Sequence, residues 1–242
     1  MQSRLIYRKL IESHNLFSFE VQIKESNLLV LADRELTRKT EEALLSCRRD
    51  IEQYIYKNPL FKRTFKPLPV EDDMPPVVKA MAEASQKAGV GPMAAVAGAI
   101  AEFVGKELLN YCKQVIVENG GDIFMQVKKE RKVGIYAGES PLTDRIALQI
   151  KPTDTPLGIC CSSGTFGHSI SLGKADAVVI LSPSTALADA VATATGNIVK
   201  KKGDIKRGLL LLEGIPEVKG GLIIKGEQMG AWGELTIVNP VR

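Results

Sequence analysis

The stretch Ala175–Asn197, ADAVVILSPSTALADAVATATGN, decides the fold. Ala177 to Leu181 is a β-branched apolar run with the length of a buried strand. Ser182-Pro183-Ser184 breaks that strand and offers a hydroxyl cap for a helix start. The helix that follows is almost entirely Ala, Leu, Val and Thr, and Gly196-Asn197 is expected to end it as a C′ glycine does. A helix apolar on every side belongs in a core. Yet it carries one acid, Asp189, near its middle, where Asp is a poor helix former. A buried carboxylate must be paired, hydrogen-bonded or metal-bound, because leaving it bare is costly. Thr193 follows four residues later on the same face. Such a carboxylate and hydroxyl are hard oxygen donors of the kind Mg2+ takes beside phosphate oxygens. The plainer alternative, with Asp189 accepting from Thr193 or from a neighbouring amide, is the commoner one for the pair alone.

With 242 residues the chain can bury a proper core, as one domain or as two small α+β lobes, 1–112 and 113–242. Aromatic residues make up only 5%, so that core is built from Ala, Val, Ile and Leu. The net charge of +4 is too mild to demand a nucleic-acid partner. Cys47, Cys112, Cys160 and Cys161 show no CxxC spacing, and with two histidines in the chain a zinc site is not indicated. Cys160-Cys161 reads as a pair of small strand residues. The N-terminal MQSRLIYRKLIESH holds no secretory apolar segment, and no run reaches the roughly eighteen apolar residues of a membrane span. The expectation is a cytoplasmic protein without a membrane or nucleic-acid partner.

Arg4–Ile11, Phe17–Lys24 and Asn27–Ala32 read as a three-stranded meander. In the second of these Phe17, Phe19, Val21 and Ile23 alternate with polar residues, which predicts one covered face and one wet face. Glu35–Asn58 is an amphipathic helix, Leu60–Met74 a Pro-containing connection, and Pro75–Ala88 a second helix. Gly89-Val90-Gly91-Pro92-Met93-Ala94 fits a loose GxGxxA fingerprint, but a helix precedes it where a strand is required. Pro92–Asn110 is a helix whose small residues, Gly98 among them, permit close backbone approach. Gln114–Glu118 and Ile123–Val127 form a hairpin around Asn119-Gly120-Gly121-Asp122. Glycines without Cβ let a ligand lie against that turn, with Asn119 and Asp122 free to hydrogen-bond it.

Lys128–Lys132 reads as the solvated tip of the next hairpin. Val133–Tyr136, Ile146–Ile150 and Leu157–Cys161 are further strands. Ser163, in the glycine-rich loop Ser162–His168, lacks the GxSxG setting of a nucleophile, and His168 is a candidate contact to an anion. Asp204–Glu213 is a short helix with Leu209–Leu212 buried. Leu222–Lys225 and Leu235–Val238 close the sheet, joined by Gly226–Gly233. The pattern is α+β, with helices packed on antiparallel sheets.

Between Gly91 and Gly196 four pieces occur in an order that resembles the ApbE-like superfamily. Asn119-Gly120-Gly121-Asp122-Ile123 looks like its glycine-rich turn, Ser163-Gly164 like its Ser-Gly loop, and His168 stands where its histidine does. Ala188–Ala194, ADAVATA, looks like the helix motif whose Asp and Thr hold a metal. Characterised members are Mg2+-dependent FAD:protein FMN transferases. The resemblance therefore implies Mg2+ on Asp189 and Thr193, with a backbone carbonyl from Ala94–Gly98 as a third ligand. It implies FAD lined by Asn119, Gly120, Gly121, Asp122, Ser163 and Gly164, His168 as the catalytic residue, and a protein acceptor as partner. Oligomeric state stays open, a homo-oligomer included.

Two motifs depart from the family's pattern. After His168 the chain reads Ser169-Ile170-Ser171-Leu172-Gly173 in place of Ile-x-Asp-Pro-x-Thr-Gly. The Lys-Gly pair the family shows before its second long helix is absent, with Ala97-Gly98 in the neighbourhood instead. The alternative function is thus a module that binds a flavin or another aromatic heterocycle without transferring it.

Overall fold

The computed structural model describes residues 8, 10–163 and 173–240. Its main sheet contains β1 (Phe17–Ile23), β2 (Ser26–Ala32), β3 (Val115–Asn119), β4 (Asp122–Gln126), β7 (Leu157–Ser162), β8 (Ala177–Ser182), β9 (Gly220–Lys225) and β10 (Gln228–Gly233). They lie in that order and every neighbouring pair is antiparallel. The sheet therefore crosses residue 112 without interruption: β2 pairs with β3, Leu28 opposite Asn119. A second sheet holds β5 (Arg131–Gly134), β6 (Ala147–Ile150) and β11 (Ile237–Val238) in the order β11-β6-β5. The helices are α1 (Thr37–Lys57), α2 (Leu60–Arg63), α3 (Pro76–Ala88), α4 (Val96–Leu108), α5 (Thr185–Ile198) and α6 (Ile205–Glu213).

Successive side chains of a strand point to opposite faces, and here each face meets a separate apolar core. From β8, Val178 and Ile180 enter the core shared with the helices. Ala177, Val179 and Leu181 enter the core shared with the small sheet. A strand covered on both faces needs apolar residues at every position, which is why this run does not alternate. The molecule has three layers, helices over the large sheet over the small one, an α+β architecture. At the sheet's edge β1 keeps its alternation from Phe19 on, with Val21 buried, Phe19 and Ile23 half-buried, and Ser18, Glu20 and Gln22 exposed. Phe17, at the strand's start, is 57% exposed against expectation.

Several local expectations are corrected by tertiary packing. Helix α5 does not stop at Gly196; it runs to Ile198 with Val199 as C-cap. The chain at Gly173 packs on the Gly196 carbonyl, so the glycine sits inside the helix. Lys128–Lys132 is no hairpin tip. Residues 128–130 are exposed, but Arg131 and Lys132 belong to β5, and Arg131 is buried with a guanidinium N–H donated to the His14 carbonyl at 2.8 Å. Gly226–Gly233 is mostly the edge strand β10, and Ile237–Val238 pairs with β6 in the small sheet. In α6 only Leu212 of the four leucines is fully buried. The proposed Arg4–Ile11 strand lies mainly outside the described residues; Ile11 makes one isolated bridge to Val133.

The Leu60–Met74 connection is pinned at Phe61, fully buried and edge-on to Tyr54 with ring centroids 5.0 Å apart. Just beyond it, the Thr64 carbonyl lies against Gly91, where a Cβ would come within 2.0 Å. Phe61→Ala should therefore cost about 3–5 kcal/mol, read as a lowered midpoint in urea denaturation.

Candidate functional site

Helices α4 and α5 cross at Gly98. A Cβ there would stand 2.4 Å from the Thr185 carbonyl and 2.8 Å from the Asp189 Cβ. The close approach lets each helix satisfy the other's N-terminal amides, which have no partner within their own helix. Gly98 N–H donates to Asp189 Oδ2 at 2.9 Å, and the Ala97 amide also bonds that carboxyl. In return Glu102 Oε2 accepts from the Thr185 and Ala186 amides at 2.7 and 3.2 Å. Ser184, the N-cap of α5, takes the Leu187 amide at 3.3 Å. Lys106 neutralises Glu102 from one turn away, at 2.6 Å. The plainer reading of Asp189 thus holds in part: it does bond an amide, but one on a different helix.

Asp189 and Thr193 are both half-buried on α5. Asn119, Gly120, Gly121 and Asp122 form the β3–β4 turn, Asn119 opposite Asp122. Both glycines have positive φ, +68° and +106°, as this two-residue turn requires. Asn119 Nδ2 donates to the Ala97 carbonyl at 3.1 Å, tying the turn to α4. Ser163 is half-buried just beyond β7. Gly164 and His168 lie outside the described residues.

The structure brings Asp122, Asp189 and Cys160 together. Burial and then the Asp189 charge drive the Asp122 carboxyl well above its usual range. Burial lifts Asp189 from 3.8 to about 7, opposed by the amides of Gly98 and Ala97. Burial also raises the Cys160 thiol, which is kept protonated and donates to the Thr185 carbonyl at 3.3 Å. No group of three or more His, Cys, Asp or Glu side chains suited to a metal occurs among the described residues. Two surface hollows of about 300 and 270 Å³ lie elsewhere, against α1 and against the small sheet.

Three contributors escaped the sequence reading. Glu102 is an acid among the small apolar residues of α4, the same signal that singled out Asp189. Glu118 is fully buried and accepts from Gly121 N–H at 2.7 Å and from Arg8 Nε at 2.5 Å. Arg8 also donates to the Asn27 carbonyl at 2.7 Å. These bonds brace the glycine turn from behind.

A model of the family described as "AbpE bacteria" matches residues 8–209. The chain belongs to this ApbE-like family. Relatives of this ApbE-like protein include a UPF0280 protein of Methanocaldococcus jannaschii, 40% identical over 225 residues and covering 90% of this chain and 91% of the relative. Another, from Methanothrix thermoacetophila, is 43% identical over 217 residues, covering 88% and 89%. Among solved structures, the flavin transferase ApbE of Vibrio cholerae superposes with a TM-score of 0.60 at 12% identity, over 92% of this chain and 97% of that one. The flavinyl transferase ApbE of Pseudomonas stutzeri gives 0.55 at 13%, over 90% and 94%. At such identities the likeness establishes the shared fold, and the chain is a divergent member. No single helix among the described residues is long and apolar enough to cross a membrane.

Two outcomes follow from the crossing. Glu102→Ala should cost about 1–3 kcal/mol by stripping the α5 amides of their acceptor, measured by chemical denaturation. Asp189 has a folded-state value raised above its unfolded one, so the stability of its protonated form is complete below about pH 4 and is lost as pH rises through about 7. The metal-free protein should lose thermal stability as pH rises from about 4 to about 7 and level off above that, and Asp189→Asn should flatten the decline.

Proposed function

We propose that this ApbE-like protein binds FAD with Mg2+ at the α4–α5 crossing and cleaves the pyrophosphate, passing FMN to a hydroxyl of a protein acceptor or to water. The observation that carries this reading is Asp189: half-buried, oriented by the Gly98 amide, and facing a second carboxylate. Neither carboxylate has a Lys or Arg partner among the described residues, a setting that favours a cation. The available donors are hard oxygens, which suits Mg2+.

Asp189 and Thr193 would hold the ion, with a backbone carbonyl from Ala94–Gly98 as the third protein oxygen. When bound, a divalent cation offsets the charge that develops on the pyrophosphate oxygens. The Gly98 N–H fixes the Asp189 carboxylate in place, so little reorganisation is needed on binding. Gly120 has open space where its Cβ would be and leaves the turn bare for a flat ring to lie against. Asp122, Ser163 and Gly164 would line the same ligand. His168 has its catalytic role from the family resemblance alone. A location in the cytoplasm belongs to this proposal as well.

A second reading, a flavin-binding module without transfer, is favoured by Ser169–Gly173, which lacks the Asp, Pro and Thr of the family's segment. One experiment separates the two. Incubated with FAD and MgCl2, the wild type should release AMP detectable by chromatography, and Asp189→Ala or added EDTA should abolish it. Flavin fluorescence that changes on binding without AMP release would leave the module. Neither signal would overturn both.

A further inference from the structure

Asp122 is only 6% exposed, yet its Oδ1 has no hydrogen-bond partner. An orphaned carboxylate oxygen in the interior is costly and calls for a positive partner. Three neighbouring donors are committed elsewhere. Asn119 spends its Nδ2 on the Ala97 carbonyl, Gly121 gives its amide to Glu118, and Gly98 gives its amide to Asp189. Cys160 has a single S–H, shared between the Thr185 carbonyl and the Asp122 carboxyl. The Cys161 amide also bonds that carboxyl, and Oδ1 still lacks a partner. Facing Asp122 is Asp189, and two carboxyls sharing one site disfavour each other's ionisation unless a cation lies with them. Asp189 is half-buried where Asp122 is fully buried, so of the two Asp189 lies nearer the solvent.

We propose that Asp122 is a second acidic ligand of the cation, so that Asp122 and Asp189 together seat Mg2+ or Mn2+ before any nucleotide arrives. Mg2+ is commonly held by one or two carboxylates with water filling its remaining positions, and Asp122 supplies the second. This rests on the reading above that Asp189 holds a cation. Asp122 then acts toward the metal, and the neighbouring Gly120–Gly121 remains the surface that faces the ring.

The test is titration calorimetry of the full chain with MnCl2 or MgCl2 and no nucleotide, beside matched titrations with FAD present. The wild type should bind one ion alone, with affinity weakened by at least about tenfold in Asp122→Asn and in Asp189→Asn. Unchanged affinity in Asp122→Asn with loss in Asp189→Asn would overturn the second ligand and leave the cation on Asp189. Binding by the wild type only when FAD is present would overturn it in the same way. Affinity indifferent to both substitutions, or no cation binding with or without FAD, would remove both readings. Should Asp122→Asn fail to fold, wild-type crystals soaked in MnCl2 decide by anomalous scattering. Manganese bonded to both carboxylates supports the proposal, and manganese bonded to Asp189 without Asp122 overturns it.

Discussion

The rest of the structure depends on two helices crossing at a glycine and capping one another. Gly98 brings the backbone of α4 against Thr185, and Gly158 of β7 brings the sheet against the same residue, where a Cβ would stand 2.5 Å from the Thr185 Cα. The first turn of α5 is therefore wedged between a helix and a strand, with room for a backbone and little else. Its amides cannot reach water in that position, so a carboxylate has to come to them. Glu102 does so from α4, and Asp189 returns the same service. Carboxylates at helix N-termini are also favoured by the helix dipole.

This arrangement gives Asp189 two connected roles. As a cap it helps hold α4 against α5, and as a half-buried acid beside Asp122 it places two carboxyls at one point of the fold. Natural sequences break the rule of pairing buried charges mainly at functional sites. Glu102 and Glu118 obey the rule, with Lys106 and Arg8 beside them. Asp122 and Asp189 do not, and that contrast within one small region is what singles out the candidate site from its scaffold.

Much of the scaffold was legible because burial leaves a local imprint. The continuous apolar run Ala177–Leu181 marks a strand covered on both faces, the alternation in β1 marks an edge, and Gly120-Gly121 marks a tight hairpin. Ser184 announced the start of α5, whereas Gly196 suggested its end too early, since only the packing of Gly173 shows why that glycine lies inside the helix. Arg131 misled for a related reason. In a run of charges it looks solvated, and its burial depends on the N-terminal segment that supplies the His14 carbonyl.

By itself, then, the sequence determined the element types, the small-residue helix, the glycine turn and the anomaly of an acid at position 189, because propensity and periodicity act over a few residues. The tertiary structure alone decided which sheet each late strand joins, that Glu102 caps α5, that Arg8 and Glu118 brace the turn, and that Asp122 faces Asp189. These contacts join groups 83 and 110 residues apart in the clearest cases, Glu102 with Thr185 and Arg8 with Glu118. Periodicity reports that a side chain is buried, and only the folded chain determines what it is buried against.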